Sequence, residues 1–554
     1  MANSTDSSIP SPVVFANSLE FDGNDGLWST FAVRVGTPAQ LFRVIPIPSS
    51  GETYIPIPEA CTTEDPSNCA ALRGAFDFDG FPSKGFDVNA SSTWSNIGTY
   101  GLDLGYGLDY YDAAGNYGLE TVGIGFPNSG LPSLSSQVVS GIVNKKLWLG
   151  MIGLSPVASN FSDFEYPQRA FMTTLMDDGR IPSLSYGYTA GASYRLQRVA
   201  GSLTIGGYDQ SKFKPSNQAF PFDQDETRPL GINIQRITAG NTWNGTRSML
   251  DKEIYVQLDY TVPHLWLPEE TCDRLAKAFG LTYDNRTELY RVNDTMHARL
   301  QSTNPTITIA FGATDDPAAL LNIELPYGAF DLQASYGFYD NATNYFPIKR
   351  AKNETQYVLG RAFLQEAYLV VDYERKNFSL HQALHPASNV KEDIVPILNQ
   401  KYSDILANQT ASKHHPSAQT RRGAITGITV GAIVGLLILI IVNFTFVRWR
   451  RRSKATKDGE KDGSRVSDSV EGSDGNSAEM HAHHLYEMHD PNYLEAGGTS
   501  RSEIDGILRS ELMGSIPPND EVVQNNTNVQ ERTENGSSGN VDNFQAERRA
   551  ENGS

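Results

Sequence analysis

The chain has 554 residues, a formal charge of −19 and a pI near 5.0, which argue against nucleic acid as a partner because a basic face is missing. Forty-eight glycines, 25 tyrosines and 25 phenylalanines among short apolar runs fit a sheet-rich globular part large enough to bury a core. The last hundred residues, mostly Ser, Asn, Gly, Glu and Asp, lack the apolar content to fold alone.

Residues 1–20 read as an extended polar lead with no positive n-region and no apolar run, so no signal peptide is visible. From residue 26 strands recur at short spacing. Residues 33–40 alternate apolar and polar and break at Gly36-Thr37-Pro38, as a strand running into a turn does. Phe42, Val44 and Ile45 begin a second strand and Tyr54-Ile55-Pro56 a third. Between them, Pro46 and Pro48 predict a loop, because proline cannot donate to a ladder. Residues 102–126 read as a hairpin with Gly115-Asn116 at its tip, 149–155 as an apolar strand ending in Gly-Leu-Ser, and 166–177 as a helix. In the second half, 255–268 repeat the strand–loop–strand plan, and 269–280 form an amphipathic helix with acids in its first turn and Gly280 at its end.

In this order these segments resemble the pepsin-like aspartic proteases, and the resemblance runs over about residues 25–385. It implies an all-β, two-lobed fold with short helices, the first lobe in residues 21–210 and the second in 211–385. In that family each lobe delivers an Asp-Thr-Gly loop. Counting back from Tyr54-Ile55-Pro56 places the first catalytic Asp on Ile47, its Thr on Pro48 and its Gly on Ser49. Counting back from Trp266-Leu267-Pro268 places the second Asp on Asp259, its Thr/Ser on Tyr260 and its Gly on Thr261. Only one of the two carboxylates that must share a proton is therefore present. Asp259 is expected to be either a relic general base or a hydrogen-bonded turn aspartate. By the same resemblance Val358-Leu359-Gly360 passes under the second loop, Tyr106 is a flap tyrosine or a plain structural one, Tyr260 belongs to the cleft, and Cys61 and Cys69 form a small disulfide loop. Cys272 is left as a buried free thiol or an intermolecular one. His264, alone beside Trp266, reads as a packing residue. No G-x-S-x-G, Walker loop or H-E-x-x-H motif occurs, and neither a cofactor nor a metal is expected.

Residues 386–422 read as a polar stalk. The segment 423–447 is uncharged, and its length suffices to cross about 30 Å of hydrocarbon. Arg448, Arg450, Arg451, Arg452 and Lys454 follow at once, which orients residues 448–554 as a disordered cytoplasmic tail. Gly423, Gly427, Gly431 and Gly435 recur every fourth residue and predict a face for homodimerisation in the membrane. Glycosylation sequons at Asn89, Asn160, Asn244, Asn285, Asn293, Asn341, Asn353, Asn377 and Asn408 fit an external large part. The tail gathers four histidines in 480–494, read as a peptide motif for a cytosolic partner, with metal binding as the alternative, and Ser467, Ser469 and Ser473 lie among acids. The resulting expectation is a membrane-anchored, catalytically degenerate relative, similar to fungal chains of that build. Its cleft binds an extended peptide or cell-surface ligand, and its tail signals or localises. The alternatives are a weakly active aspartic endopeptidase and a structural cell-surface glycoprotein.

Overall fold

A computed structural model describes residues 9–413, apart from 103, 105–106, 109–112, 163–164, 196–197, 315 and 387–389, together with the backbone alone at 410–413. The flap candidate Tyr106, the uncharged segment 423–447 with its four glycines, and residues 448–554 lie outside the described residues. Among the described residues no helix is long and apolar enough to cross a membrane.

The fold is mostly β and two-lobed, as expected of the pepsin-like fold. In the first lobe an eight-stranded sheet runs Asn17–Asp22, Trp28–Val35, Gln40–Ile47, Gly150–Gly153, Thr53–Pro56, Ser133–Ile142, Ala114–Ile124, Ser95–Gly101, and a further pairing of Trp28–Val35 with Ala114–Ile124 curls it towards closure. The second lobe has its own eight-stranded sheet. A seven-stranded platform joins the lobes, with Ser185–Thr189 from the first pairing with Ala367–Asp372 from the second.

The same unit occurs in each lobe. In the first, Gln40–Ile47 pairs in parallel with Gly150–Gly153, which pairs antiparallel with Thr53–Pro56, itself parallel to Ser133–Ile142. In the second, Ile254–Leu258 pairs in parallel with Val358–Leu359, antiparallel to Leu265–Leu267, itself parallel to Ile348–Arg350. Each loop thus hangs between two strands with a third strand end crossing beneath it.

Several sequence expectations change. Pro46 and Ile47 belong to the strand, not to the loop: Pro46 lies opposite Ile152, beyond Val44 where the pairing with Trp28–Val35 ends, so one side of the strand there is, among the described residues, an unpaired edge that accommodates proline. Gly115 and Asn116 are not a hairpin tip but lie near the start of the strand Ala114–Ile124, opposite Tyr100 and Thr99. The helix expected at 166–177 is Phe171–Asp177, because Pro167 and the extended Ala170 delay its start. The lead is shorter, since Val13–Val14 already pairs with Ser202–Ile205. The stalk begins later too: Ile394–Pro396 pairs with Gly207–Asp209, and Gln400–Lys413 follows as a helix. Helix Glu269–Phe279 matches its expected span and ends at Gly280, whose φ of 65° is left-handed.

Cys61 and Cys69 are bridged, with Cα atoms 5.9 Å apart. The loop they close carries Asp65, which accepts from Lys145 Nζ at 2.6 Å and from Tyr336 Oη of the second lobe at 2.5 Å. Cys272 is fully buried, and burial pushes its thiol up to about 12, so it is an inert core thiol and not an intermolecular one. Of the nine sequon asparagines, Asn160 is buried at 6% exposure beside buried Ser159 and Phe161, which leaves no room for a glycan in the folded lobe. Asn377 is half-buried and the other seven are exposed.

Candidate functional site: the paired loops

The first loop follows Ile47. That side chain is completely buried, and its carbonyl accepts from Leu154 N–H at 2.9 Å. Gly153 lies so close that an added Cβ would sit 2.1 Å from the Ser50 carbonyl oxygen, which is why glycine is needed where the strand passes beneath the loop. The second loop repeats this at Gly360, whose added Cβ would meet the carbonyls of His264 and Val262 at 2.4 Å. The N–H groups of Gly360, Arg361 and Ala362 bond in turn to the carbonyls of His264, Val262 and Pro263. The family resemblance implied the crossing at Gly360, and the apolar strand read at 149–155 makes the matching one at Gly153.

At the position of the first carboxylate there is therefore a core isoleucine. Asp259 stands at the second; part of the residue reaches the surface, but its carboxyl is closely surrounded by protein, and it accepts from Thr261 N–H at 3.0 Å. Burial raises its pKa, against opposing hydrogen bonds from Thr261 and the charges of Arg228 and Arg361. Among the described residues no carboxylate is bonded to it. The two loops meet instead through hydroxyls, Ser49 Oγ to Thr261 Oγ1 at 3.0 Å. The family positions expected to supply bracing hydroxyls hold Pro48 and Tyr260, so the brace here has moved one residue along each loop.

Tyr260 is not a cleft residue. It is fully buried, donates to Tyr186 Oη at 2.8 Å and packs on Tyr188 with ring centroids 4.9 Å apart. His264 is a packing residue, 3% exposed with its ring edge on Tyr345, and burial together with Lys349 and Arg361 drives its pKa far down.

Two polar residues escaped the sequence reading. Glu52, the one carboxylate between residues 33 and 56, is 1% exposed and takes Tyr54 Oη at 2.6 Å and Ser159 Oγ at 2.5 Å. Tyr54 Oη also reaches Ser50 Oγ and the Leu102 carbonyl. Glu52 thus holds Tyr54 and Ser159 behind the first loop and is not a substitute for the missing Asp. Arg361, directly after Gly360, donates to the Tyr260 and Thr261 carbonyls at 3.1 and 2.6 Å and to Asp25 at 3.3 Å, with Trp28 beneath its guanidinium. A charged residue immediately after a buried apolar strand end was the signal for it. Across the cleft, Gln356 Nε2 of the second lobe donates to the Gly107 carbonyl of the flap connection.

Chemically, this site has one carboxylate with a raised pKa and two hydroxyls. A lone base can take a proton from water, but no protonated acid lies opposite to polarise the scissile carbonyl. The raised pKa also has a stability consequence. Near pH 3, below the unfolded carboxyl value of about 3.9, Asp259 is protonated in both states. As pH rises through the raised folded value, the folded state bears the cost of ionising a buried group, and stability falls. Asp259→Asn, held neutral, should therefore raise the melting temperature at pH 7 and leave it nearly unchanged at pH 3. An equal shift at both pH values, or a drop at pH 7, would contradict this.

Comparison with known proteins agrees with the fold. Residues 30–383 match the family described as "Asp: Eukaryotic aspartyl protease". The chain is similar to "Secreted aspartic protease 1" of Candida albicans, at 27% identity over 366 residues, 65% of this chain and 82% of that protein. It is also similar to "Barrierpepsin" of Saccharomyces cerevisiae, at 23% over 420 residues, 68% of this chain and 64% of that protein. Against the crystal structure of aspartic proteinase from Irpex lacteus it gives a TM-score of 0.46 at 17% identity, covering 69% of this chain and 100% of that one. The chain belongs to the eukaryotic aspartyl protease family.

Proposed function

We propose that the chain is a pseudoprotease: a pepsin-fold ectodomain whose cleft binds an extended peptide or cell-surface polymer without cutting it. The observation that carries this reading is the completely buried Ile47 where the first carboxylate would stand. The Ser49–Thr261 hydroxyl contact, which joins the two loops, adds to it. Removal of one member of a catalytic unit commonly costs several powers of ten in rate, and here the residues flanking both positions have changed as well. The uncharged segment 423–447 followed by Arg448–Arg452 supports a single-pass anchor with the lobes outside and the tail in the cytosol. The secreted relative named above fits an external location. Pairing of anchors through Gly427 and Gly431 belongs to the same proposal, and crosslinking of membranes carrying residues 420–455 tests it: Gly427→Ile with Gly431→Ile should abolish the dimer.

A second reading, a weakly active endopeptidase, is favoured by the raised pKa of Asp259. A third, a structural surface glycoprotein, is favoured by the Gln356 bridge to the flap connection. One pair of ligands separates the three. A peptide and its counterpart with a hydroxyl-bearing tetrahedral centre should bind within about tenfold of each other in a cleft that does not catalyse, whereas catalytic sites prefer such analogues by about a hundredfold or more. Strong preference for the analogue would support the endopeptidase, and failure of both to bind would support the structural reading.

A further inference from the structure

A second concavity, of about 900 Å³, lies where Tyr194, Arg195 and Val199 of the first lobe face helix Asp294–Thr303 and the turn Tyr327–Phe330 of the second. It shares no lining residue with the loops around Ile47 and Asp259. Its size is that of a pocket for a small organic ligand.

The polar lining is built, not incidental. Glu366, with its side chain 3% exposed, accepts from Tyr194 Oη and Arg195 Nη2 and lies 3.4 Å from His385 Nε2. Burial pushes this carboxyl up, but hydrogen bonds from His385 and Tyr194 and the charges of His385 and Arg195 hold it below its ordinary value. On the facing side Asp331 accepts from His297 Nε2 at 2.7 Å and Gln301 Nε2 at 3.1 Å. Glu366 lies behind the lining and holds Tyr194 and Arg195, and Asp331 in the lining is held by its own partners. Tyr194 is seated by Gly328, where an added Cβ would lie 2.5 Å from its ring.

The lining mixes donors and acceptors with no strong excess of either charge. Arg195, Gln301, Asn304 and Asp331 each present a planar fork, and Tyr194 adds ring surface, with Tyr327 buried beneath. Arg195 engages Glu366 through Nη2, while Nε has no partner among the described residues and two-fifths of the side chain stays exposed. An anion would meet Asp331, with the buried Glu366 held behind Tyr194 and Arg195, and a cation would meet Arg195. A neutral ligand whose groups both donate and accept meets neither penalty. Vicinal hydroxyls suit planar forks, and the apolar face of a pyranose suits tyrosine rings.

We propose that this cavity binds a neutral oligosaccharide of two or three sugar rings, independently of the cleft. The test is calorimetric titration of the full-length protein in detergent with three linear trisaccharides: β-1,3-linked glucose, α-1,4-linked glucose and β-1,4-linked N-acetylglucosamine. At least one should bind saturably. Val199→Trp, which fills the cavity without removing a hydrogen bond, should weaken that binding by about tenfold or more, as should Gln301→Leu, a loss in the range of one good hydrogen bond. Both variants should leave the affinity of a cleft-binding peptide unchanged. The proposal is overturned if none of the three binds, if both folded variants bind like the parent, or if a trigalacturonate binds more tightly than every neutral probe. Should Val199→Trp fail to fold, Gln301→Leu alone decides.

Discussion

Arg361→Met is expected to destabilise the folded protein by about 3–5 kcal/mol, the range for removing one partner of a buried ion pair. The guanidinium side chain is 4% exposed and makes three kinds of contact at once. It holds the Tyr260 and Thr261 carbonyls of the second loop, pairs with Asp25 of the first lobe, and lies over Trp28, whose indole N–H donates to the same Asp25 at 2.6 Å. Methionine fills much of the volume but leaves two carbonyls and a largely buried carboxylate without their donor. Arg361→Lys should recover only part of the loss, because one ammonium cannot span the carbonyls and Asp25 as the planar fork does. Asp25→Asn combined with Arg361→Met should cost less than the sum of the two single changes, because the residues share one interaction. Denaturant unfolding of the parent and the four variants measures these losses. Additive losses would show that Arg361 does not brace the loop through Asp25.

The lobe plan was legible because each strand–loop–strand unit leaves a local pattern: an apolar strand, a turn, and a strand ending in Gly where another backbone crosses. Gly153 and Gly360 are such ends, and their environments explain the glycine. The missing carboxylate was legible for the same reason, since the count from Pro56 fixed position 47. What the sequence did not disclose were long-range pairings. Asp25 and Arg361 are 336 residues apart, and nothing local in either announces the other. Tyr260 looked like a cleft residue from its place in the loop, yet neighbours from a distant strand, Tyr186 and Tyr188, draw it into the core. Ile394–Pro396 is apolar but only three residues long and ends in proline, too short a run to predict a strand, and it gains its order from the edge at Gly207–Asp209.

The second large effect is catalytic. An aspartic protease divides its work between an ionised carboxylate that activates water and a protonated one that polarises the carbonyl, and mutual repulsion sets their different pKa values. Here Ile47 cannot ionise and Asp259 has no second carboxylate bonded to it among the described residues. The Ser49 and Thr261 hydroxyls join the loops but cannot protonate a leaving amine. Turnover should therefore lie several powers of ten below that of a paired site. The most direct test is cleavage of an unfolded protein substrate between pH 3 and pH 6 by the purified protein beside its Asp259→Asn variant. The account predicts no cleavage above the variant at any pH in that range. Cleavage that the variant loses, and that a tetrahedral-centre peptide analogue blocks, would contradict it.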